Sequence, residues 1–407
     1  MLSVSALPVP AHVRPDQVFE FDIYNDPGLL EDLHLGYHSL QQRAPEIFYT
    51  PLNGGHWMVT RYDLAEQILL NPGVFSNKEL EIPKTESPFL GIPINLDPPE
   101  HTPYRLMLMR QFTPRRINEL DGAIRHWAQT LIDRVADKGE CEFLESLGAL
   151  FPVTVFMEFA GLPLDRYVEF REVVTEFFSH IPKERRIELQ GWIFNELEQV
   201  FRARMAEPQE DLFSRLAAET IDGRSLTMDE LLAIGFLLFV AGLDTVANGL
   251  TFSFNFLAAN PEMQDLLREH PERIGDYIEE SMRRFPVTNG VRLVAQDFEL
   301  AGASLKAGDM IVAPMSIAGL DDRRNPDPTR FDIDRKRRQH ISFSTGPHLC
   351  LGHHLARTEM RIFIEEFLKR IPRFRHAQGY RPHWRAGVVM ALEGLRIEWD
   401  PVDPNAG

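Results

Sequence analysis

From Leu231 to Ala259 the chain carries a single charge, Asp244, inside an almost unbroken apolar run. A helix that is apolar on all sides belongs in a core or a membrane. Thr227, with Glu230 three residues on, forms a capping box that marks its start, and Asn260 before Pro261 marks its end. A second periodic segment, His353 to Arg370, sets Ala356, Met360, Phe363 and Phe367 on one stripe and is stopped by Pro372. A third helix, ending near Phe285, places Glu280 and Arg283 on one face, a spacing that permits an ion pair. Short strand-like runs appear at His56 to Thr60, Val291 to Val294, Met310 to Ala313, Val388 to Met390 and Leu395 to Trp399. The rest is mostly helical by periodicity, so the expected fold is mainly α with small β-sheets.

Length and composition narrow this picture. No linker, repeat or low-complexity tract divides the 407 residues, which predicts one large domain spanning 1–407. Asn248, Asn255 and Asp244 within the long apolar run, and no flanking Lys/Arg cluster, favour a buried central helix over a membrane span. Two cysteines, Cys141 and Cys350, argue against a disulfide framework and for a reducing compartment, and the N-terminus has no basic apolar signal, so the cytoplasm is expected. A net charge of -17 disfavours nucleic acid and anionic membrane as partners.

The candidate chemistry lies in the loop FSTGPHLCLG, where Cys350 stands just ahead of the helix starting at His353. The free amides at that helix end are expected to lower the thiol pKa and favour the metal-binding anion. Gly346 and Gly352 let the backbone approach a flat ligand closely. Phe343, Gly346, His348, Cys350 and Gly352 fill every defined position of the haem-binding signature Phe-x-x-Gly-x-His/Arg-x-Cys-x-Gly, and the chain thereby resembles the cytochrome P450 family of haem-thiolate monooxygenases. The resemblance implies the P450 fold, with a long central helix crossing the haem, heme b as cofactor, and Cys350 as the axial iron ligand.

Further motifs carry the same resemblance. Ala241, Gly242, Leu243, Asp244 and Thr245 are similar to the family's oxygen-activation motif, implying that Asp244 relays protons from solvent and that Thr245 holds the proton network where oxygen binds. A glycine followed by a threonine hydroxyl bonded four residues back would open a local kink there. Val246, where many relatives have Thr or Ser, points to the bacterial camphor 5-monooxygenase group. The segment from Asp97 to Arg105 implies His101 and Arg105 as partners of the haem propionates, joined by Arg292 and His348, while Gly290 stands where that group has an aspartate. Arg330 is expected to complete a structural triad with Glu280 and Arg283.

The same alignment places Phe89, Ile94, Leu237, Val240, Thr288, Val388 and Val389 around the substrate. Phe89 replaces a hydrogen-bond donor to a ketone, so camphor should bind poorly and a small cyclic terpenoid, such as a monoterpene, a cineole-like ether or an ionone-like norisoprenoid, is expected. Electrons are expected from an iron-sulfur ferredoxin reduced by a flavoprotein reductase, with Arg335, Lys336, Arg337 and Arg338 as a steering patch. A peroxide-driven peroxygenase and a haem sensor without turnover are the competing readings.

Overall fold

The longest apolar run folds as one helix through the interior. The computed structural model describes residues 6–85, 91–177 and 181–400, the side chains of Lys183 and Leu243 excepted. Six helices and five strands position the site: β1 (Ile47–Thr50), β2 (His56–Val59), β3 (Phe75–Ser76), α1 (His101–Met109), α2 (Asp121–Asp133), α3 (Leu150–Ala160), α4 (Met228–Ala259), α5 (Ile274–Arg284), β4 (Gly290–Val294), β5 (Met310–Ala313) and α6 (His353–Arg370). About 52% of the chain is helical, so the mainly α expectation is met.

Helix α4 begins at the capping box foreseen: the Thr227 hydroxyl accepts from the Glu230 amide and the Glu230 carboxylate accepts from the Thr227 amide. It stops at Asn260 because Pro261 opens the next helix. Leu231, Ile234, Phe239, Leu250, Phe254 and Leu257 are fully buried, so the helix meets protein on all sides, packing on α3, α5 and α6. It is α-helical throughout Ala241–Thr245, so the expected kink does not interrupt it.

The five strands form one sheet in the order β1, β2, β5, β4, β3, with β5 parallel to β2 and antiparallel to β4. Its register pairs Val312 with Val291 and Phe75 with Val294. A separate apolar cluster of Trp57, Val59, Ile68, Phe75 and Ile311 packs about this sheet. The run Val388 to Met390 is not a strand; a single bridge joins Val389 to Thr288, and Leu395 to Trp399 begins one residue later than expected.

The structural triad forms with a different arginine. Arg283 and Glu280 are fully buried and joined by Nε to Oε2 at 2.9 Å and Nη2 to Oε1 at 2.7 Å. Arg283 also donates to the carbonyls of Gly319, Pro328 and Arg330. The Arg330 side chain is 71% exposed and faces Asp332, so it contributes only its carbonyl. Arg335, 9% exposed, supplies the cation, with Nε 3.5 Å from Glu280 Oε1. Arg338 likewise turns inward, 3.3 Å from Asp276, so the proposed steering patch shrinks to the exposed Lys336 and Arg337. Ser342 donates to the Met282 carbonyl at 2.6 Å, and Glu279 pairs with Arg357, tying α5 to both ends of the cysteine loop.

Candidate active site

The cysteine loop is a tight fold of backbone. Cys350 N–H donates to the Phe343 carbonyl at 2.7 Å, Leu349 N–H closes a turn on Gly346, and Gly346 adopts φ 68°. A side chain at Gly346 would meet the Leu69 carbonyl at 3.2 Å, so both space and conformation call for glycine. Arg357 lies over the Phe343 ring, 4.5 Å from its centroid, and bonds the His353 carbonyl, clamping the loop to α6. Burial pushes the Cys350 thiol up, against the Gly352 amide, Arg105 and Arg357, which favour the anion. This reverses the expected lowering: desolvation outweighs the helix end.

Above this loop opens a cavity of about 400 Å³. Cys350, Phe343, His348 and Gly352 line it on the loop side; Thr245, Gly242, Leu237 and Leu238 on α4; His101 and Arg105 on α1; Arg292 on β4; and Ile94, Thr288 and Val388 beside them. Val240 is instead packed in the main core, and Val389 is not among the lining residues. Val388 and Val389 lie in an extended stretch where Asn289 N–H donates to the Val388 carbonyl and Met390 N–H to Val287, so adjacent side chains face opposite ways and only one can enter. Phe89 lies outside the described residues. Phe156, Val287, Met315 and Glu359 also line the cavity and were missed by sequence reasoning. Only Glu359 had a readable signal, a carboxylate on the α6 stripe one residue from Met360; burial pushes it well above the ordinary range.

Thr245 Oγ1 donates to the Ala241 carbonyl at 3.1 Å, the four-back bond expected, and the residue lines the cavity. Asp244 Oδ2 accepts from Asn248 at 3.1 Å and sits 3.7 Å from Arg385. Burial raises its carboxyl above the usual range, while Arg385 and Asn248 oppose.

The remaining polar groups suit an anionic, flat cofactor. The rings of His101 and His348 lie 4.4 Å apart, and each leaves a buried Nε2 with no partner among the described residues. Arg292 is 5% exposed, and its one hydrogen bond among the described residues is Nη1 to the Val291 carbonyl. Burial lowers its pKa to about 10. Arg105 bonds the Leu349 carbonyl. Buried donors without acceptors are costly, so these four side chains fit carboxylates such as the haem propionates. A side chain added at Gly352 would meet nothing within 4 Å, leaving room for a ring beside Cys350.

A family model described as Cytochrome P450 matches residues 145–377. Among curated proteins, "Probable cytochrome P450 127A1" of Sinorhizobium fredii is 33% identical over 97% of this chain and 98% of its own length. The steroid C26-monooxygenase of Mycobacterium tuberculosis strain CDC 1551 is 31% identical over 82% of this chain and 92% of its own. The crystal structure of CYP101J2 superposes with a TM-score of 0.91 at 35% identity, covering 97% of this chain and 99% of that one, and CYP101C1 with 0.90 at 29%, covering 97% and 100%. The chain therefore belongs to the cytochrome P450 family, as a heme b monooxygenase resembling the soluble bacterial members.

Proposed function

We propose that this P450 hydroxylates a small apolar cyclic substrate of the monoterpenoid or norisoprenoid class, using dioxygen and two electrons delivered by a ferredoxin. The observation that carries this reading is the cavity wall: Ile94, Phe156, Leu237, Leu238, Val287, Met315 and Val388 line it with apolar side chains. Such a wall binds hydrocarbon by excluding water, and it offers few donors to orient a polar ligand. Haem, when bound, would supply the redox centre for dioxygen activation; Cys350 would hold its iron through sulfur, and His101, Arg105, Arg292 and His348 would hold its propionates.

The chain's own part is proton delivery and orientation. Asp244, whose carboxyl holds a proton more readily than an exposed one, passes it toward Thr245, which lines the cavity. Arg385, 30% exposed, links Asp244 to solvent. The exposed Lys336 and Arg337 steer an acidic iron-sulfur protein, and the site of action is the cytoplasm.

The test is product analysis on a terpenoid panel with a surrogate ferredoxin and its reductase. Oxygen-dependent hydroxylation of monoterpenes or ionones, with camphor turned over poorly, supports the reading. A strong camphor preference contradicts the substrate class, and full turnover on hydrogen peroxide alone favours the peroxygenase.

A further inference from the structure

Asn77 follows β3 directly, is 2% exposed and lines the cavity. Its backbone is fully engaged: the amide donates to Asp97 Oδ1 at 2.9 Å, and the carbonyl accepts from Asn95 Nδ2 at 3.3 Å. Its side-chain Oδ1 has no partner among the described residues. A buried amide left unsatisfied costs roughly 1–3 kcal/mol, so a ligand group is the physical expectation.

Its neighbours say which ligand group. β3 and β4 pair through Phe75 with Val294 and Ser76 with Leu293, and Asn77 and Arg292 follow directly on the two strands, both lining the cavity. Asp97, which holds the Asn77 amide, is also the carboxylate whose charge acts on Arg292. The carboxamide and the guanidinium therefore belong to the same part of the cavity wall. Gly290, two residues before Arg292 and on the same face of β4, contributes no side chain of its own. Asp97 also accepts from Ser76 at 2.5 Å, so both its oxygens are engaged.

We propose that Asn77 anchors the cofactor: its side-chain Nδ2 donates to the haem propionate that Arg292 pairs with. A half-turn of the amide exchanges oxygen for nitrogen in the same volume, so the face now carrying Oδ1 can present a donor to a carboxylate. Asn77 thus takes the place of a local network that Gly290 cannot supply.

The test uses the intact holoenzyme and two variants, Asn77→Ala and the nearly isosteric Asn77→Asp. The readouts are the rate of ferric haem transfer to excess apomyoglobin and the haem reduction potential, both without substrate. Loss of one charge-assisted hydrogen bond predicts about tenfold faster transfer for N77A. N77D, which sets a carboxylate against the propionate, should lose haem faster still and shift the potential to more negative values. Wild-type transfer rates in both variants would overturn the proposal. So would unchanged transfer together with weakened spin-state responses to apolar ligands, which would assign Asn77 to the substrate. If N77A fails to fold, N77D alone decides between these outcomes.

Discussion

Two clusters of buried charge, one under the cysteine loop and one beside the cavity, differ in how completely their hydrogen bonds are made. At the node of Glu280 and Arg283, the guanidinium reaches a carboxylate through Nε and Nη2 and three backbone carbonyls through Nη1 and Nη2, with neither side chain exposed. At the wall formed by Arg292, His101, His348 and Asn77, buried nitrogens and an amide oxygen have no partner among the described residues. Both clusters are centred on a buried arginine. The saturated one holds the fold, and the unsaturated one is complete only with an anionic ligand, because desolvated polar groups persist where something compensates them.

The largest break in this contrast is Arg283→Ala. It leaves Glu280 buried without its partner, which costs about 3–5 kcal/mol. Expression should yield little folded holoprotein, and denaturant unfolding of what survives should show the loss. Arg292→Ala is expected to act differently: unfolding of the haem-free protein changes little, while haem transfer accelerates roughly tenfold to a hundredfold, the equivalent of one or two charge-assisted bonds. Equal effects of both variants on haem-free stability would erase the distinction.

A third comparison uses pH. His34 is buried against Phe252 and Phe285, its Nε2 is paired with the Pro286 carbonyl at 3.1 Å, and burial lowers its pKa from 6.5 to about 4. The unfolded chain gains the proton first on acidification, so this contribution is complete above pH 6.5 and is lost as pH falls toward 4. His34→Gln should flatten the slope of stability against pH in that window, as read from denaturation midpoints. The smallest effect expected is that of Arg330→Ala, within about 0.5 kcal/mol because the side chain is at the surface. Arg335→Ala should cost more than that, and the reverse order would restore Arg330 to the triad.

Local signals were the most legible in the sequence. The ends of α4 and α6 were readable because capping and proline act within a few residues, and the cysteine loop because its glycines and its cysteine are adjacent in the chain. The choice between Arg330 and Arg335 was not, since it depends on a loop that turns through Asp327 at φ 47° and points one arginine outward and the other in. Asn77 gave no signal at all. Its meaning arises from a strand pairing across more than two hundred residues, Ser76 with Leu293, that brings it to the cavity wall Arg292 also lines. The direction of the Cys350 shift was misread for a similar reason: the helix end is local, whereas the burial that outweighs it comes from the whole fold.

The central claim is that Cys350 holds haem iron as a thiolate at the foot of the cavity. The most direct measurement is the difference spectrum of the ferrous carbonyl adduct of purified protein, recorded for wild type and for Cys350→His. The account predicts the long-wavelength Soret band of thiolate ligation in the wild type and its absence in C350H. A wild-type protein that carries haem without that band, or a C350H variant that keeps it, would contradict the account.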